Sequence, residues 1–273
     1  MKKPLHALLV TTLSTLLLTG VSAQALAADP AAVRVGTLGG PFEQVTEAAA
    51  KAAPRNGLKI VPVVFDGIVS PNEALVGGDI SANAYQHVVF LNSEVANRKY
   101  KLIKAADIYT VPLAIYSKKH KTLADIPVGG KFAIPADEAN QSRALLALQD
   151  NGLIKLRADF NPLKGNASVL DVVANPKKLQ LIEISTTILA NSLPDVDAGA
   201  VNANLAFQLA KLSLSDALAV ENKETTKRYT QILVIREADK NKPWVAPLIK
   251  SYQSDEVRQL IDSKFKNVMT PAF

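Results

Sequence analysis

Polar, hydrogen-bonding side chains gather at three places where a predicted strand passes into a predicted helix. The three stretches are NAYQHVVFLN at 83–92, PADEANQSRAL at 135–145 and VNAN at 201–204. In open α/β sheets, ligands bind beyond the carboxyl ends of the strands, where helix N-termini offer free N–H groups and a positive dipole end. The pattern therefore predicts a ligand cleft. Its candidate lining residues are Asn83, Tyr85, Gln86, His87, Asp137, Asn140, Gln141, Arg143, Asn202 and Asn204.

Arg143 is the candidate that could hold an anionic group of the ligand. It lies one turn into its predicted helix, where a cation opposes the helix dipole, so the position favours a nearby anion. Its guanidinium could bind a carboxylate or a phosphate through two parallel hydrogen bonds. The structural alternative is a surface salt bridge with Asp137 or Glu138.

The other candidates also have structural alternatives. His87 is equally well explained as a half-buried histidine bonded to a backbone carbonyl, and Tyr85 as a core aromatic whose hydroxyl finds a partner. Asn140, Asn202 and Asn204 are of a type common at helix caps. Capping explains any one of these asparagines, but three at equivalent junctions favour a shared cleft.

Motifs for catalysis, metal binding and cofactor binding are missing from the sequence. The chain has no cysteine, which excludes thiolate metal sites, a cysteine nucleophile and a lipid-modified N-terminal cysteine. His87 and His120 lie far apart, so a histidine-rich metal centre is not expected. GTLGGP lacks the glycine spacing of a dinucleotide fingerprint, and no G-x-S-x-G, H-E-x-x-H or P-loop occurs. We therefore expect a protein without enzymatic activity and without cofactors.

The N-terminus has the layout of a secretory signal peptide. Two lysines precede an apolar stretch at 7–18, and a small-x-small sequence follows at 25–27. The stretch is shorter than the roughly 20 residues of a membrane-spanning helix, although an uncleaved anchor is the alternative. The pattern predicts a signal peptide over 1–27, cleaved between Ala27 and Ala28.

The charge of the chain is mildly basic. Lys and Arg number 31 against 25 Asp and Glu, a net charge of +6. The longest basic cluster, SKKHK at 117–121, has no interleaved aromatic residues and is typical of a solvated loop. We therefore expect no nucleic-acid partner.

Short apolar strands alternate with helical segments along the chain. LKIVPVVF, GKFAIPA and LQLIEI are typical of strands, whereas PFEQVTEAAAKAA, NQSRALLALQDNGL, TTILANSL and NLAFQLAKL are typical of helices. This alternation favours an α/β architecture with mainly parallel sheets. The length left after removal of the leader suits two lobes better than one core.

Two predicted strands have no helix directly attached, VPLAIYS at 111–117 and QILVIRE at 231–237. They are candidates for the segments where the chain passes between lobes. The predicted division is 28–110 for the first part of lobe I, 111–237 for lobe II and 238–273 for the C-terminal helical part of lobe I.

Several long strings, in the same order along the chain, resemble one known family. They are SPNEALVGGDISANAYQH, VPLAIYSKK, KFAIPADEANQSRALLALQDNGLIKL, NPKKLQLIEI, DVDAGAVNANLAF and SYQSDEVRQLI. The strings are similar to those of the NlpA-type methionine-binding lipoproteins, the substrate-binding components of a bacterial ABC importer for methionine. The resemblance runs over about residues 33–261.

The resemblance implies a type II-like periplasmic binding protein with two lobes, each a mainly parallel sheet flanked by helices, and a ligand cleft between them. Such a protein closes on its ligand by a hinge motion. It would act as a monomer that binds methionine or a related small amino acid and delivers it to a membrane permease.

The resemblance also implies roles for the junction residues. Arg143 would hold the α-carboxylate of the ligand, the asparagines would bond to its amine and carboxylate, and Tyr85 would pack on its side chain. The implied ligand-binding residues are Tyr85, His87, Asn140, Arg143, Asn202 and Asn204.

The chain departs from the family pattern at several positions. Family members usually carry a cysteine just after the leader for lipid attachment, whereas this chain has ALAADP, so it is expected to diffuse freely in the periplasm. Gly67-Ile68 stands where the family often has an aspartate-tyrosine pair. Ser185 and Asn191 replace an acidic residue and an arginine. Single-group changes in a pocket can shift specificity by roughly 1–3 kcal/mol, so these departures bear on which amino acid is bound.

Two other functional classes fit an α/β sheet in a secreted protein. A hydrolase would need a nucleophile within hydrogen-bond reach of a base, and no such pair is visible in the sequence. A scaffold or adhesion protein would use the fold without any ligand. Titration with a panel of amino acids separates these alternatives from a binding protein.

Overall fold

The computed structural model describes residues 32–66 and 70–273 of the chain. The predicted signal peptide and its cleavage site fall outside the described residues, as does Gly67-Ile68. The strands are β1 Ala32–Leu38, β2 Lys59–Phe65, β3 Ala82–His87, β4 Leu102–Thr110, β5 Leu113–Tyr116, β6 Lys131–Pro135, β7 Lys155–Leu156, β8 Val172–Ala174, β9 Gln180–Ile184, β10 Ala198–Asn202, β11 Ala219–Val220, β12 Gln231–Arg236 and β13 Thr270–Pro271. The α-helices are α1 Pro41–Ala52, α2 Pro71–Gly77, α3 Val88–Arg98, α4 Glu138–Asp150, α5 Ala203–Ala210, α6 Lys223–Arg228, α7 Val245–Tyr252 and α8 Asp255–Leu260.

Two sheets form the centres of two lobes, which confirms the predicted α/β two-lobed fold. The first sheet has the order β13-β4-β12-β3-β1-β2, and the second has the order β11-β5-β10-β6-β9. Strands β7 and β8 form a separate antiparallel pair.

Both sheets are mixed, whereas the sequence predicted mainly parallel ones. In the first sheet β1 runs parallel to β2 and β3, but β12 is antiparallel to β3 and β4. In the second sheet β6 runs parallel to β9 and β10, but β5 is antiparallel to β10 and β11. The two strands that the sequence predicted without an attached helix, β5 and β12, both lie in antiparallel pairs.

Sheet membership corrects one predicted lobe boundary. The sequence assigned 111–237 to lobe II, but β12 pairs with β3 and β4 of the first sheet. The chain thus returns to the first lobe at about Gln231, before the predicted boundary. An apolar strand pattern shows that QILVIRE is buried, but it does not show which sheet the strand joins.

The helices that frame the cleft begin where their sequences predict. Proline occupies the first turn of α1 and of α2, where its fixed φ suits helix entry. Asp137 caps α4 by accepting a hydrogen bond from the Asn140 N–H, and His87 caps α3 by accepting one from the Phe90 N–H. These caps place polar side chains at the ends of β6 and β3.

One predicted helix does not form. TTILANSL at 186–193 contains only a short 3-10 turn at Leu189–Ser192. Its first threonine instead donates a hydrogen bond from its hydroxyl to Asp137. Two adjacent β-branched threonines have low helix propensity, so a side-chain contact of this kind readily determines the local structure.

Separate apolar cores lie behind the two sheets. In the first lobe, α1, α7 and α8 pack on one face of the sheet around Val45, Leu248 and Phe265, all fully buried. In the second lobe, α4 packs with Leu145 and Leu148 against the second sheet. Each lobe therefore has its own apolar support, and α4 is fixed in place by its apolar face.

We expect Leu145→Ala to lower the free energy of unfolding by about 2–5 kcal/mol, because the truncation leaves a cavity beneath α4. Leu163→Ala serves as the matched control, since Leu163 is 83% exposed and surface truncations usually change stability by less than about 0.5 kcal/mol. Urea unfolding followed by circular dichroism measures both changes. Equal effects of the two substitutions would contradict the placement of α4.

Candidate functional site

A cavity of about 120 Å³ lies between the two lobes. Its volume is close to the roughly 150 Å³ of an apolar cavity that admits benzene, so a small molecule fits in it. Residues from both lobes line it: Leu38, Phe42, Tyr85, Gln86, His87, Phe90 and Gln231 from the first, and Asp137, Asn140, Thr186, Thr187, Asn202, Asn204 and Leu205 from the second.

The structure brings most of the predicted site residues to this cavity. Tyr85, His87, Asn140, Asn202 and Asn204 all line it. They reach it from the ends of β3, β6 and β10, the three junctions identified in the sequence.

Besides Arg143, two candidates from the sequence, Asn83 and Gln141, are not among the cavity-lining residues. Asn83 belongs to a buried amide cluster in which its Nδ2 donates to Asn72 Oδ1 at 2.9 Å and its Oδ1 accepts from Gln86 Nε2 at 2.9 Å. Gln141 donates to the Pro135 carbonyl at 3.3 Å. Both side chains therefore stabilise the strand-to-helix junctions without lining the cavity.

The hydrogen bonds of His87 determine its tautomer. Nδ1 accepts from the Phe90 N–H at 3.0 Å, so the ring proton must be on Nε2. Nε2 lies 3.1 Å from Asn140 Oδ1 and therefore donates to it. This hydrogen bond crosses the cleft from the first lobe to the second.

Burial keeps His87 neutral. Desolvation of the buried ring, together with the nearby positive charge of Arg143, lowers the pKa of His87 to about 3, although its bond to Asn140 acts in the opposite direction. A charged imidazole would also carry a proton on Nδ1 and would lose the bond from the Phe90 N–H. The neutral ring is therefore a fixed donor at neutral pH.

Asn140 connects the two sides of the cleft. Its Nδ2 donates to the Asp137 carboxylate at 3.0 and 3.1 Å, which fixes the orientation of the amide. Its Oδ1 then accepts from His87 and from Asn202 Nδ2, the latter at 3.3 Å. Asp137 also accepts a hydrogen bond from Thr186. The polar side of the cavity is thus held in one arrangement.

Asn202 has a buried acceptor without a partner in the described structure. Its side chain donates through Nδ2 to Asn140, while its Oδ1 is buried and accepts no hydrogen bond from the described residues. Leaving such an atom unpaired costs about 1–3 kcal/mol. The atom therefore suits a ligand that supplies an N–H donor.

The structure corrects the predicted arrangement of Arg143. Its bidentate edge, formed by Nε and Nη2, is bound to the carboxylate of Glu221, with Nε donating to Oε2 at 2.8 Å. Nη2 also donates to the Val111 carbonyl at 2.7 Å. The side chain is fully buried and is not among the cavity-lining residues. The bidentate edge of the guanidinium is therefore not available to a ligand carboxylate. The salt bridge is also not the predicted one with Asp137 or Glu138.

One nitrogen of Arg143 remains available. Nη1 is buried and makes no hydrogen bond to the described residues. The guanidinium carbon lies 4.5 Å from the ring centroid of Tyr229, whose ring is in turn 4.9 Å from that of His87 in an edge-to-face arrangement. The Tyr229 ring therefore lies between Arg143 and His87, which is part of the cavity wall. One donor of Arg143 is unused.

Apolar side chains also line the cavity. Leu38, Phe42, Phe90 and Leu205 lie there, together with the ring of Tyr85, which packs edge-on to Phe90 with 6.3 Å between centroids. Burial raises the pKa of the Tyr85 hydroxyl, so the ring is a neutral phenol. The cavity therefore has both polar and apolar lining residues.

Sequence reasoning missed several lining residues. Thr186 and Thr187 lay in a predicted helix, and Gln231 lay in a strand assigned to the other lobe. Leu205 directly follows the VNAN motif and could have been found from it. The position of Gln231 at the start of a strand was a weaker signal.

The described residues place two further limits on the site. Across 32–66 and 70–273, no group of three or more His, Cys, Asp or Glu side chains is arranged to hold a metal ion. None of the helices within those ranges combines the length and apolar character needed to cross a bilayer.

Comparison with known sequences identifies close relatives. The sequence model of the family described as NlpA lipoprotein matches residues 33–273. A probable D-methionine-binding lipoprotein MetQ from Vibrio cholerae is 39% identical over 254 residues, covering 93% of this chain and 92% of that protein. The D-methionine-binding lipoprotein MetQ of Escherichia coli K12 is 39% identical over 240 residues, covering 87% of each.

Solved structures give the same relationship. A nutrient binding protein from Burkholderia cenocepacia, bound to methionine, superposes with a TM-score of 0.85 at 42% identity, covering 88% of this chain and all of that one (100%). The methionine binding protein MetQ superposes with a TM-score of 0.83 at 37% identity, covering 90% and 99% of the two chains.

The lowered pKa of His87 predicts a loss of stability on acidification. Below its unfolded pKa of about 6.5, the unfolded chain binds a proton at His87, whereas the folded protein does not until its pKa of about 3. His87→Asn keeps a side chain that can cap α3 but does not titrate. Between about pH 7.5 and pH 5, wild type should lose about 2 kcal/mol more stability than this variant. Urea unfolding at each pH measures the difference, and identical pH profiles would show that His87 is not buried as a neutral ring.

Proposed function

The chain belongs to the NlpA lipoprotein family, and we propose that it is a periplasmic solute-binding protein of an ABC importer that binds methionine or a closely related small amino acid. The relatives named for methionine binding support this ligand. A cavity of about 120 Å³ between two lobes supports a ligand of that size. Delivery to a membrane permease follows from the ABC importer role.

The observation that carries the proposal is a pair of unused polar atoms with opposite hydrogen-bonding character. Among the described residues, Asn202 Oδ1 is a buried acceptor without a partner and Arg143 Nη1 is a buried donor without one. An amino acid brings an ammonium group for the first, and its carboxylate reaches the second once the Tyr229 and His87 rings, which lie between Arg143 and the cavity, move aside. Such a zwitterion satisfies both atoms with one molecule.

The apolar lining of the cavity suits an uncharged ligand side chain. The rings of Phe42, Tyr85 and Phe90 and the side chains of Leu38 and Leu205 surround this region. Thioether sulfur makes favourable contacts with aromatic rings, worth about 0.3–1.5 kcal/mol. A methionine side chain would therefore gain more here than a polar one of similar length.

The construction of the site from both lobes explains how binding would drive closure. His87 and Tyr85 come from the first lobe, whereas Asn140, Asn202 and Asn204 come from the second. A ligand that contacts both sets stabilises the closed arrangement over the open one by its differential affinity. The closed form is the one that a permease could distinguish from the empty protein.

His87 cannot act as the base that a hydrolase would need at this cavity. Both ring nitrogens of His87 are committed, Nδ1 to the Phe90 N–H and Nε2 to Asn140. The ring therefore has no free lone pair to accept a proton from Thr186 or Thr187. We propose binding without catalysis.

The location follows from the predicted signal peptide and the absence of cysteine. Without a cysteine, the chain has no thiol for lipid attachment after the leader. We place the protein in the periplasm as a freely diffusing monomer, in contrast to the lipoproteins named among its relatives.

Replacement of Asn202 tests the site directly. Asn202→Ala removes the unpaired Oδ1, so methionine should bind at least about tenfold more weakly, which corresponds to the loss of about 1.4 kcal/mol. Asn191→Ala is the matched control, because Asn191 is exposed and is not a cavity-lining residue. Isothermal titration of ligand-stripped protein with methionine measures both affinities.

Three results would count against the proposal. Wild-type protein that gives no saturable heat with methionine or any related amino acid would exclude the binding role. Turnover of the ligand would favour a hydrolase. Equal affinity of Asn202→Ala and wild type would remove the asparagine from the site.

A further inference from the structure

Glu221 is a buried carboxylate that no sequence motif pointed to. It lies in the connection between β11 and α6, and its side chain is fully inaccessible to solvent. Its carboxylate accepts hydrogen bonds from Arg143 Nε and Nη2, from the Leu113 N–H at 3.1 Å and from the Thr226 hydroxyl at 2.9 Å. Burying a charge is costly unless it is paired and fully hydrogen-bonded, and Glu221 meets both conditions.

The ion pair lies where the chain passes between the lobes. The chain first crosses between the lobes from β4 to β5, and Leu113 begins β5. The Val111 carbonyl, which lies in this crossing, accepts a hydrogen bond from Arg143 Nη2. The chain crosses back between β11 and β12, and Glu221 directly follows β11. The Glu221 N–H donates to the Leu113 carbonyl at 3.0 Å. Arg143 is thereby held against both crossings, and its remaining donor, Nη1, has a fixed position.

The charges around the cavity show what Glu221 does to the site. Arg143 contributes one positive charge, which the carboxylate of Glu221 cancels within hydrogen-bond distance. His87 is neutral, and Asp137 adds a negative charge at the cavity wall. The buried region therefore has no surplus positive charge to offer an anion.

This balance distinguishes between ligands of different net charge. A carboxylate without an amine would add an uncompensated negative charge to a region shielded from water, which is strongly unfavourable. A zwitterion carries its own cation, which can approach Asn202 Oδ1 and the Asp137 carboxylate. The site without Glu221 would instead have a free cation and would attract simple anions.

We propose that Glu221 is a specificity-determining residue, which cancels the charge of Arg143 and holds its guanidinium so that the site accepts an amino-acid zwitterion and rejects the corresponding carboxylate anion. This inference rests on the proposed function and names the feature of the ligand, its ammonium group, that the charge balance selects. Glu221 acts through Arg143 and is a positioning residue.

The test compares methionine with its deamino analogue, which keeps the carboxylate and side chain but lacks the amine. Isothermal titration gives both dissociation constants for wild type, Glu221→Gln and Glu224→Gln. The last is the matched control, because Glu224 undergoes the same change of charge only three residues away, with a side chain that is 84% exposed. A general loss of packing would weaken both ligands alike, whereas loss of charge balance would not.

In Glu221→Gln, the preference for methionine over the deamino analogue should fall at least about tenfold relative to wild type, while Glu224→Gln keeps the wild-type preference. An unchanged preference in Glu221→Gln would overturn the inference and leave the proposed function intact. Absence of methionine binding by wild type would overturn the proposed function, and this inference with it.

Glu221→Gln leaves Arg143 as an unpaired buried cation, so circular dichroism must first verify that the variant folds. The double variant Arg143→Met with Glu221→Gln contains no buried charge at this place and provides the second test. It should bind methionine at least about tenfold more weakly, with the preference over the deamino analogue kept within about threefold of wild type. Unchanged methionine affinity, or a collapsed preference, would overturn the inference.

Discussion

The hydrogen bond from His87 Nε2 to Asn140 Oδ1 is the contact on which the site depends. It joins the end of β3 in the first lobe to the start of α4 in the second, at 3.1 Å. Its direction requires a neutral imidazole, and burial supplies one by lowering the pKa of His87 to about 3. The Phe90 N–H then fixes which nitrogen carries the proton. A helix cap, a buried side chain and an interlobe contact thus depend on one protonation state.

The second requirement is that buried charge be balanced. Arg143 lies near the N-terminus of its helix, where a cation is unfavourable without an anion. The sequence pointed to a ligand carboxylate or to Asp137 or Glu138 as that anion, but the structure supplies Glu221. Because the pair is neutral, Arg143 can be held inside the protein when no ligand is bound. In the proposed bound state, the ligand carboxylate meets a single donor, Arg143 Nη1, in place of a free positive charge.

Much of the fold and most of the cavity residues could be predicted from local sequence. The junctions at Tyr85 and His87, at Asn140 and at Asn202 are set by strand ends and helix starts, which short patterns reveal. Glu221 could not be found in this way, because its partner lies 78 residues away and its own segment has no periodic pattern. The sheet joined by β12 was misassigned for a similar reason, since strand pairing depends on distant segments. The segment at 186–193 contains only a short 3-10 turn, and its Thr186 hydroxyl bonds to Asp137, a contact with no local signal.

The most direct test of this account is a crystal structure of the protein with selenomethionine added as the ligand to protein that contains ordinary methionine. The account predicts one strong anomalous peak in the cavity beside Tyr85 and Phe90, with the ligand ammonium facing Asn202 Oδ1 and its carboxylate facing Arg143 Nη1. A peak outside the cavity, or a ligand bound with its carboxylate away from Arg143, would contradict it.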